Sequence, residues 1–202
     1  MKEQEEFWSG EFGDEYIDRN TSEEWVASNS FFFSKVFSKA PYKIKSLIEF
    51  GPNIGLNLIA IKRLFPKIDL HGVEINKKAA NILLKEKIST VSNSSILNYN
   101  SKKVYDVSLI KGVLIHLNPE DLTDAYEKLY NSASKYIVIA EYYNPTPVTI
   151  KYRGHENKLF KRDFAGEIMN KYPNLELIDY GFSYHLDKNF PQDDITWFLL
   201  KK

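Results

Sequence analysis

SLIEFGPNIGLNLIA, residues 46–60, puts a short apolar run, Leu47, Ile48 and Phe50, directly before Gly51. Apolar side chains then follow at helical spacing: Ile54, Leu58, Ile61 and Phe65. This pattern is a strand, a glycine turn and a helix. Gly51 lets the backbone turn sharply, and Gly55 is expected to admit a ligand or the strand to the first helical turn, where a Cβ would collide. Beyond Pro66, residues 69–73 read as a second short strand with Glu74 at its carboxyl end. A carboxylate about 20 residues past a glycine turn is placed to accept hydrogen bonds from both ribose hydroxyls of a nucleotide-like ligand.

At 202 residues, 43% hydrophobic and 14% aromatic, the chain can bury a core as a single domain, 1–202. Lys+Arg and Asp+Glu balance at 27 each, so no overall charge favours nucleic acid or an anionic membrane. The absence of cysteine excludes disulfides, thiolate metal sites and a cysteine nucleophile, and no metal cluster is evident. MKEQEEF lacks an apolar signal core, and no run approaches the ~18 apolar residues of a membrane span. A cytoplasmic enzyme without nucleic-acid partners is the expectation; the oligomeric state is left open.

Residues 2–20 carry Phe7, Trp8, Phe12, Tyr16 and Ile17, too many large side chains for a free tail. Residues 1–40 are therefore expected to form a helical cover or lid. In the lid reading, Tyr16, Arg19 and Asn20 face the ligand and Gly10 and Gly13 serve as hinges. Thr21 and Glu24 match a capping box for a helix running to about Ala40, closed by Pro41. Asn76 is placed to cap a helix that turns Ala79, Ala80, Leu83 and Leu84 to the sheet. Residues 88–93, 105–111 and 136–140 read as further strands, with a helix starting at Asn118-Pro119 between the last two and Glu141 at the final strand end. Residues 142–161 have no sustained period and read as a functional-length loop. A helix over 163–172 precedes two strands, 175–184 and 195–201, with no helix between them.

The fold class is thus α/β: a doubly wound, Rossmann-like, seven-stranded sheet, mostly parallel with an antiparallel C-terminal strand, preceded by N-terminal helices. Ligands of such sheets bind beyond the carboxyl ends of the strands, which gathers residues 51–55, Glu74, Ser94, 111–113 and 142–144 around one cleft.

EFGPNIG, VEIN and KGVLIHLNPE resemble the successive signatures of class I S-adenosylmethionine-dependent methyltransferases, from about Ser46 to the end of the chain. The lead-in FWSGEFGDEYIDRN together with this core resembles more closely the small methylases associated with pseudaminic acid biosynthesis. The resemblance implies S-adenosylmethionine as cofactor. It places Gly51, Asn53 and Gly55 at the methionyl end, Glu49 on the ammonium, Glu74 on the ribose, Ile75 on adenine, Lys111 and Gly112 in backbone contacts, and His116 near the transfer site. Two departures stand out. Pro52-Asn53 replaces a further glycine, which stiffens the turn, and Asn93-Ser94-Ser95 replaces the usual aspartate, leaving Ser94, Ser95 and backbone groups to read adenine. Arg19 is placed to pair with the cofactor carboxylate, and Tyr16 to hydrogen-bond to it.

Methyl transfer from a sulfonium is an in-line displacement, for which alignment supplies about 7 to 11 kcal/mol. If the nucleophile is a hydroxyl or ammonium, His116, Glu141 and Tyr143 are the candidate bases. The expected acceptor is a small polar molecule, a sugar or sugar nucleotide of a pseudaminic acid-type surface glycan. Asn144, Arg153 and His155 are placed to bind it; Arg153, His155, Lys158 and Arg162 read most simply as a solvated loop, with an anion-binding patch for a carboxylate or phosphate substrate as the alternative. Two other classes compete: an NAD(P)-dependent oxidoreductase, disfavoured because residues 51–55 are G-x-x-x-G and lack G-x-G-x-x-G, and a catalytically silent Rossmann-like binding protein.

Overall fold

The computed structural model describes residues 2–17, 23–100 and 103–202, apart from the side chain of Glu156. Three helices lead in, α1 (Glu3–Ser9), α2 (Glu11–Ile17) and α3 (Glu23–Ser38). Alternating units follow: β1 (Ser46–Phe50), α4 (Leu56–Leu64), β2 (Asp69–Glu74), α5 (Lys77–Lys85), β3 (Thr90–Asn93) and β4 (Tyr105–Lys111). A short 3₁₀ turn, Leu114–His116, and a second, Pro119–Asp121, precede α6 (Leu122–Ser132) and β5 (Ala133–Glu141). The chain ends with β6 (Val148–Tyr152), β7 (His155–Lys161), α7 (Phe164–Lys171), β8 (Glu176–Ser183) and β9 (Ile195–Lys201).

Seven strands form one sheet in the order β3-β2-β1-β4-β5-β9-β8. All neighbours pair in parallel except β9, which runs antiparallel to both β5 and β8. The expected architecture is therefore the observed one. Its alternation explains the two cores. Leu47, Val107, Leu109, Tyr136 and Val138 face α3 and α4, packing on Phe32, Phe33, Leu58 and Ile61. Ile48, Phe50, Ile110, Ile137 and Ile139 face the other way, onto Leu122, Leu129, Phe164 and Ile168.

Asn76 caps α5 as expected, its side chain accepting the Ala79 N–H at 2.9 Å, a contact worth about 1 kcal/mol. Leu84, expected on the sheet side, is instead exposed. Thr21 of the expected capping box, with Arg19 and Asn20, lies outside the described residues.

Within residues 142–161, only 142–147 form a loop. β6 and β7 form a separate antiparallel hairpin, turning through Arg153 and Gly154, both at positive φ. Lys158, read as solvated, is buried and pairs with Glu3 at 2.6 Å, while Arg162 pairs with Glu167 at 2.7 Å. Gly13 is a packing residue as well: a Cβ there would meet the Trp8 carbonyl oxygen at 1.9 Å.

Candidate active site

A cavity of about 250 Å³ opens where the strand order turns back across β1. Its floor is the set of turns that follow the parallel strands: Gly51, Asn53, Glu74, Ile75, Ser94, Ser95, Lys111 and Gly112, with Tyr142 after β5. Its cover comes from Gln4, Glu5, Trp8 and Tyr16 on the first two helices, and its side from Trp25 and Asn29 on α3. Tyr152 of the hairpin and Asp193, just before β9, complete it.

Glu74 is the fixed point of this floor. One carboxylate oxygen accepts the Asn53 backbone N–H at 2.7 Å and the other accepts the Asn76 N–H at 2.8 Å. Burial pushes its carboxyl above the usual range, and those backbone donors oppose the shift. The Asn76 side chain also donates to Asp14 at 2.8 Å and to the Trp8 carbonyl at 3.3 Å, tying the end of β2 to the cover.

The two ends of the first turn behave differently from each other, and only Gly55 departs from the expectation. Gly51 lines the cavity, but Gly55 does not: at φ +93 its Cβ would lie 2.3 Å from Leu83 Cδ1, so the position serves packing against α5, with no space for a ligand. Gly112, at φ +67, has nothing within 4 Å of the position a Cβ would take, and it borders the cavity.

Glu49 is fully buried and is not among the lining residues. One of its oxygens accepts from the Asn57 side chain at 2.6 Å, and the other has no hydrogen-bond partner among the described residues. Burial raises its pKa to about 7, against the Asn57 hydrogen bond and the Lys111 charge. It is Asn57 that borders the cavity. Lys111, expected to contribute backbone contacts, lines the cavity beside α3, its ammonium 5.6 Å from the Phe32 ring centroid. Burial pushes its pKa down, while Asp193, Glu49 and Glu141 pull it up. Both serine hydroxyls have local partners: Ser94 Oγ donates to the Ser95 carbonyl at 3.0 Å, and Ser95 Oγ accepts the Asn98 N–H at 3.2 Å.

The three candidate bases separate cleanly. His116 lines the cavity, and its Nδ1 lies 2.7 Å from the Lys158 carbonyl oxygen, which assigns the proton to Nδ1 and leaves Nε2 as an acceptor. Burial drops its pKa to about 4, so the ring is neutral at pH 7. Glu141 lies on the opposite face of the sheet from Lys111 and outside the lining. One oxygen accepts the N–H groups of Val113 and Leu114, both at 2.9 Å, which makes it the anchor of the turn after β4. Tyr143 is 42% exposed and bridges to Arg162; strand alternation turns its neighbour Tyr142 inward. Asn144 donates to the Thr146 hydroxyl at 3.3 Å, and Arg153 and His155 are exposed on the hairpin, so none of the three lines the cavity. His155 packs edge-on against Phe7 at 5.0 Å instead.

Sequence reasoning missed Gln4, Glu5, Asn29, Asn57, Tyr152 and Asp193 as lining residues. The aromatic excess around Phe7 and Trp8 was the available signal for the cover. Nothing local marks Asp193. Among the described residues there is no group of three His, Asp or Glu placed to hold a metal, and no helix long and apolar enough to cross a membrane.

No family model matches the chain. A search of curated proteins finds no match either. Solved structures do share the fold. The plantazolicin methyltransferase BpumL, in complex with a pentazolic desmethylPZN analog and SAH, superposes with a TM-score of 0.67 at 15% identity, over 98% of this chain and 94% of that one. Magnesium protoporphyrin IX methyltransferase from Synechocystis, with bound SAM, gives 0.68 at 11% identity over 100% and 98%. A SAM-dependent methyltransferase from Leishmania major gives 0.71 at 14% identity over 100% and 87%. The chain thus has the α/β fold of class I methyltransferases, with its seven-stranded sheet and N-terminal helices.

Proposed function

We propose that this protein is an S-adenosylmethionine-dependent methyltransferase acting on a small polar acceptor. The observation that carries the reading is Glu74: a buried carboxylate at the end of β2, fixed by two backbone N–H groups and bordering a cavity at the strand-order reversal. The residues present fit the cofactor. Glu74 has lone pairs left for ribose hydroxyls, Ile75 and the 94–95 backbone flank an adenine position, and Gly112 leaves open space where a side chain would intrude. Lys111 and Asn57 supply a cation and an amide at the methionyl end. When bound, the cofactor supplies an activated methyl group. The chain aligns the acceptor with it, excludes water beneath Trp8 and Tyr16, and offers the bare Nε2 of His116 as a hydrogen-bond acceptor.

The resemblance to pseudaminic acid-associated methylases makes a sugar the first acceptor to test. The cavity's mixed aromatic and polar lining supports a sugar ring. A nucleotide's phosphates need cationic contacts, and Arg153 and His155 stand outside the lining.

Calorimetry is the direct test. SAM and SAH should both bind, with NADH failing to compete. Tight NADH binding with no response to either adenosyl ligand would overturn the reading in favour of an oxidoreductase.

A further inference from the structure

We propose that the acceptor is an amine, a small polar scaffold carrying a primary or secondary amino group, and that Glu5 holds that group; this rests on the methyl-transfer reading above. Glu5 is 7% exposed and borders the cavity. Its Oε2 accepts the Lys2 backbone N–H at 3.0 Å, whereas its Oε1 is buried with no hydrogen-bond partner among the described residues. Trp8, three residues on and so on the same helical face, also borders the cavity with its Nε1 buried and unpartnered. A buried carboxylate oxygen and a buried indole N–H left unpaired are both costly unless a ligand pairs them. The complementary ligand carries donors for Glu5 and an oxygen for Trp8.

Charge decides between an amine and a hydroxyl as the group on Glu5. Three acidic side chains line the cavity, Glu5, Glu74 and Asp193, against one basic one, Lys111. An acidic lining favours a cationic group on the acceptor over a hydroxyl and disfavours a phosphate. The rings around Glu5 fit the same ligand. Trp8 lies 4.5 Å from His116, 5.5 Å from Tyr16 and 6.5 Å from Tyr152 between ring centroids, a cluster whose π faces attract a cation.

The step balances. The bound ammonium gives one proton to Glu5 Oε1, which keeps it through the transfer. The nitrogen lone pair then forms the N–C bond to the methyl group as the C–S bond breaks, and the bonding pair stays on sulfur. The products are S-adenosylhomocysteine and a methylated ammonium.

The test uses the full-length protein loaded with SAH and three probes sharing one ring: glucosamine, glucose and glucose phosphate. Calorimetry should show glucosamine binding at least about tenfold more tightly than glucose, with no binding of the phosphate. Glu5→Gln keeps an oxygen for the Lys2 cap; it should retain SAH affinity and erase the glucosamine preference. Equal binding of glucosamine and glucose, tightest binding by the phosphate, no binding of glucosamine, or a Glu5→Gln variant that weakens SAH instead would each overturn the proposal. Failure of the wild-type protein to take up SAH in the first titration is a different result and counts against the methyl-transfer reading itself.

Discussion

The carboxylate of Glu74 accepts the backbone N–H of Asn53 at 2.7 Å, so the acid at the end of β2 also fixes the loop between β1 and α4. A cavity-lining group and a loop anchor are therefore one side chain. Glu74→Ala should weaken SAH binding by roughly 1.5 to 3 kcal/mol, the range for hydrogen bonds to a charged group. The Asn53 amide should exchange faster in the same variant. Unchanged SAH affinity in a folded variant would remove Glu74 from the site.

Gly55 and Gly112 both sit at positive φ, yet alanine at each should fail differently. At Gly55 the added Cβ meets Leu83 at 2.3 Å, so Gly55→Ala should lower stability by about 2 kcal/mol or more, from backbone strain and overpacking together. At Gly112 the Cβ enters open space, and only the backbone cost of about 1 to 2 kcal/mol applies. Gly112→Ala should therefore melt closer to wild type while losing more SAH affinity than its stability loss explains. Thermal melts and calorimetry on the pair check this.

Burial raises the Glu141 carboxyl from 4.5 to about 7, against the opposing N–H groups of Val113 and Leu114. Between those two values the native state holds a proton that the unfolded chain has released. The contribution to stability is therefore full below the lower value and is lost as pH rises through the upper one, a change of roughly 3 kcal/mol. Glu141→Gln stays neutral and should gain stability relative to wild type between about pH 5 and about pH 8. Parallel melting curves for the two proteins would show that Glu141 does not titrate in this window.

The N-terminal helices should respond to the cofactor. Trp8 and Tyr16 border the cavity, and Asn76 links Asp14 to the end of β2. SAH should slow hydrogen exchange over α1 and α2, and deletion of residues 1–20 should leave a folded core with weakened SAH binding. Unchanged exchange and unchanged affinity would reduce these helices to a structural cover.

The parallel strands were legible because burial on both faces leaves near-continuous apolar runs such as those of β1 and β4, each closed by a glycine. The hairpin was not. Nearly all of β6 is exposed, so pairing with β7 holds it in place and no apolar alternation marks it. Among the lining residues, Gly51, Glu74 and Gly112 follow from their position at strand ends, whereas Ile75 followed only from the family resemblance. Glu49 and Glu141 share that position, but the chain's own Asn57 and the 113–114 backbone each take one of their oxygens and neither lines the cavity, and such partners form only in the folded molecule. Tyr142 lines the cavity and Tyr143 is exposed, because the side on which a strand end delivers its last ring depends on register.

The outer edge of the cover is moored by ion pairs, Lys2 to Asp121 and Glu3 to Lys158, with a Gln4–Asn118 amide pair between them. Lys2 and Glu3 are half to largely exposed at the side chain, within reach of bulk electrolyte. Mobile ions screen such pairs over a distance of about 8 Å at physiological ionic strength. The aromatic contacts beneath are indifferent to salt or are strengthened by it. Rising ionic strength therefore loosens the rim of α1 while its hydrophobic seat holds, so the attachment of these helices divides into a salt-sensitive edge and a salt-insensitive base.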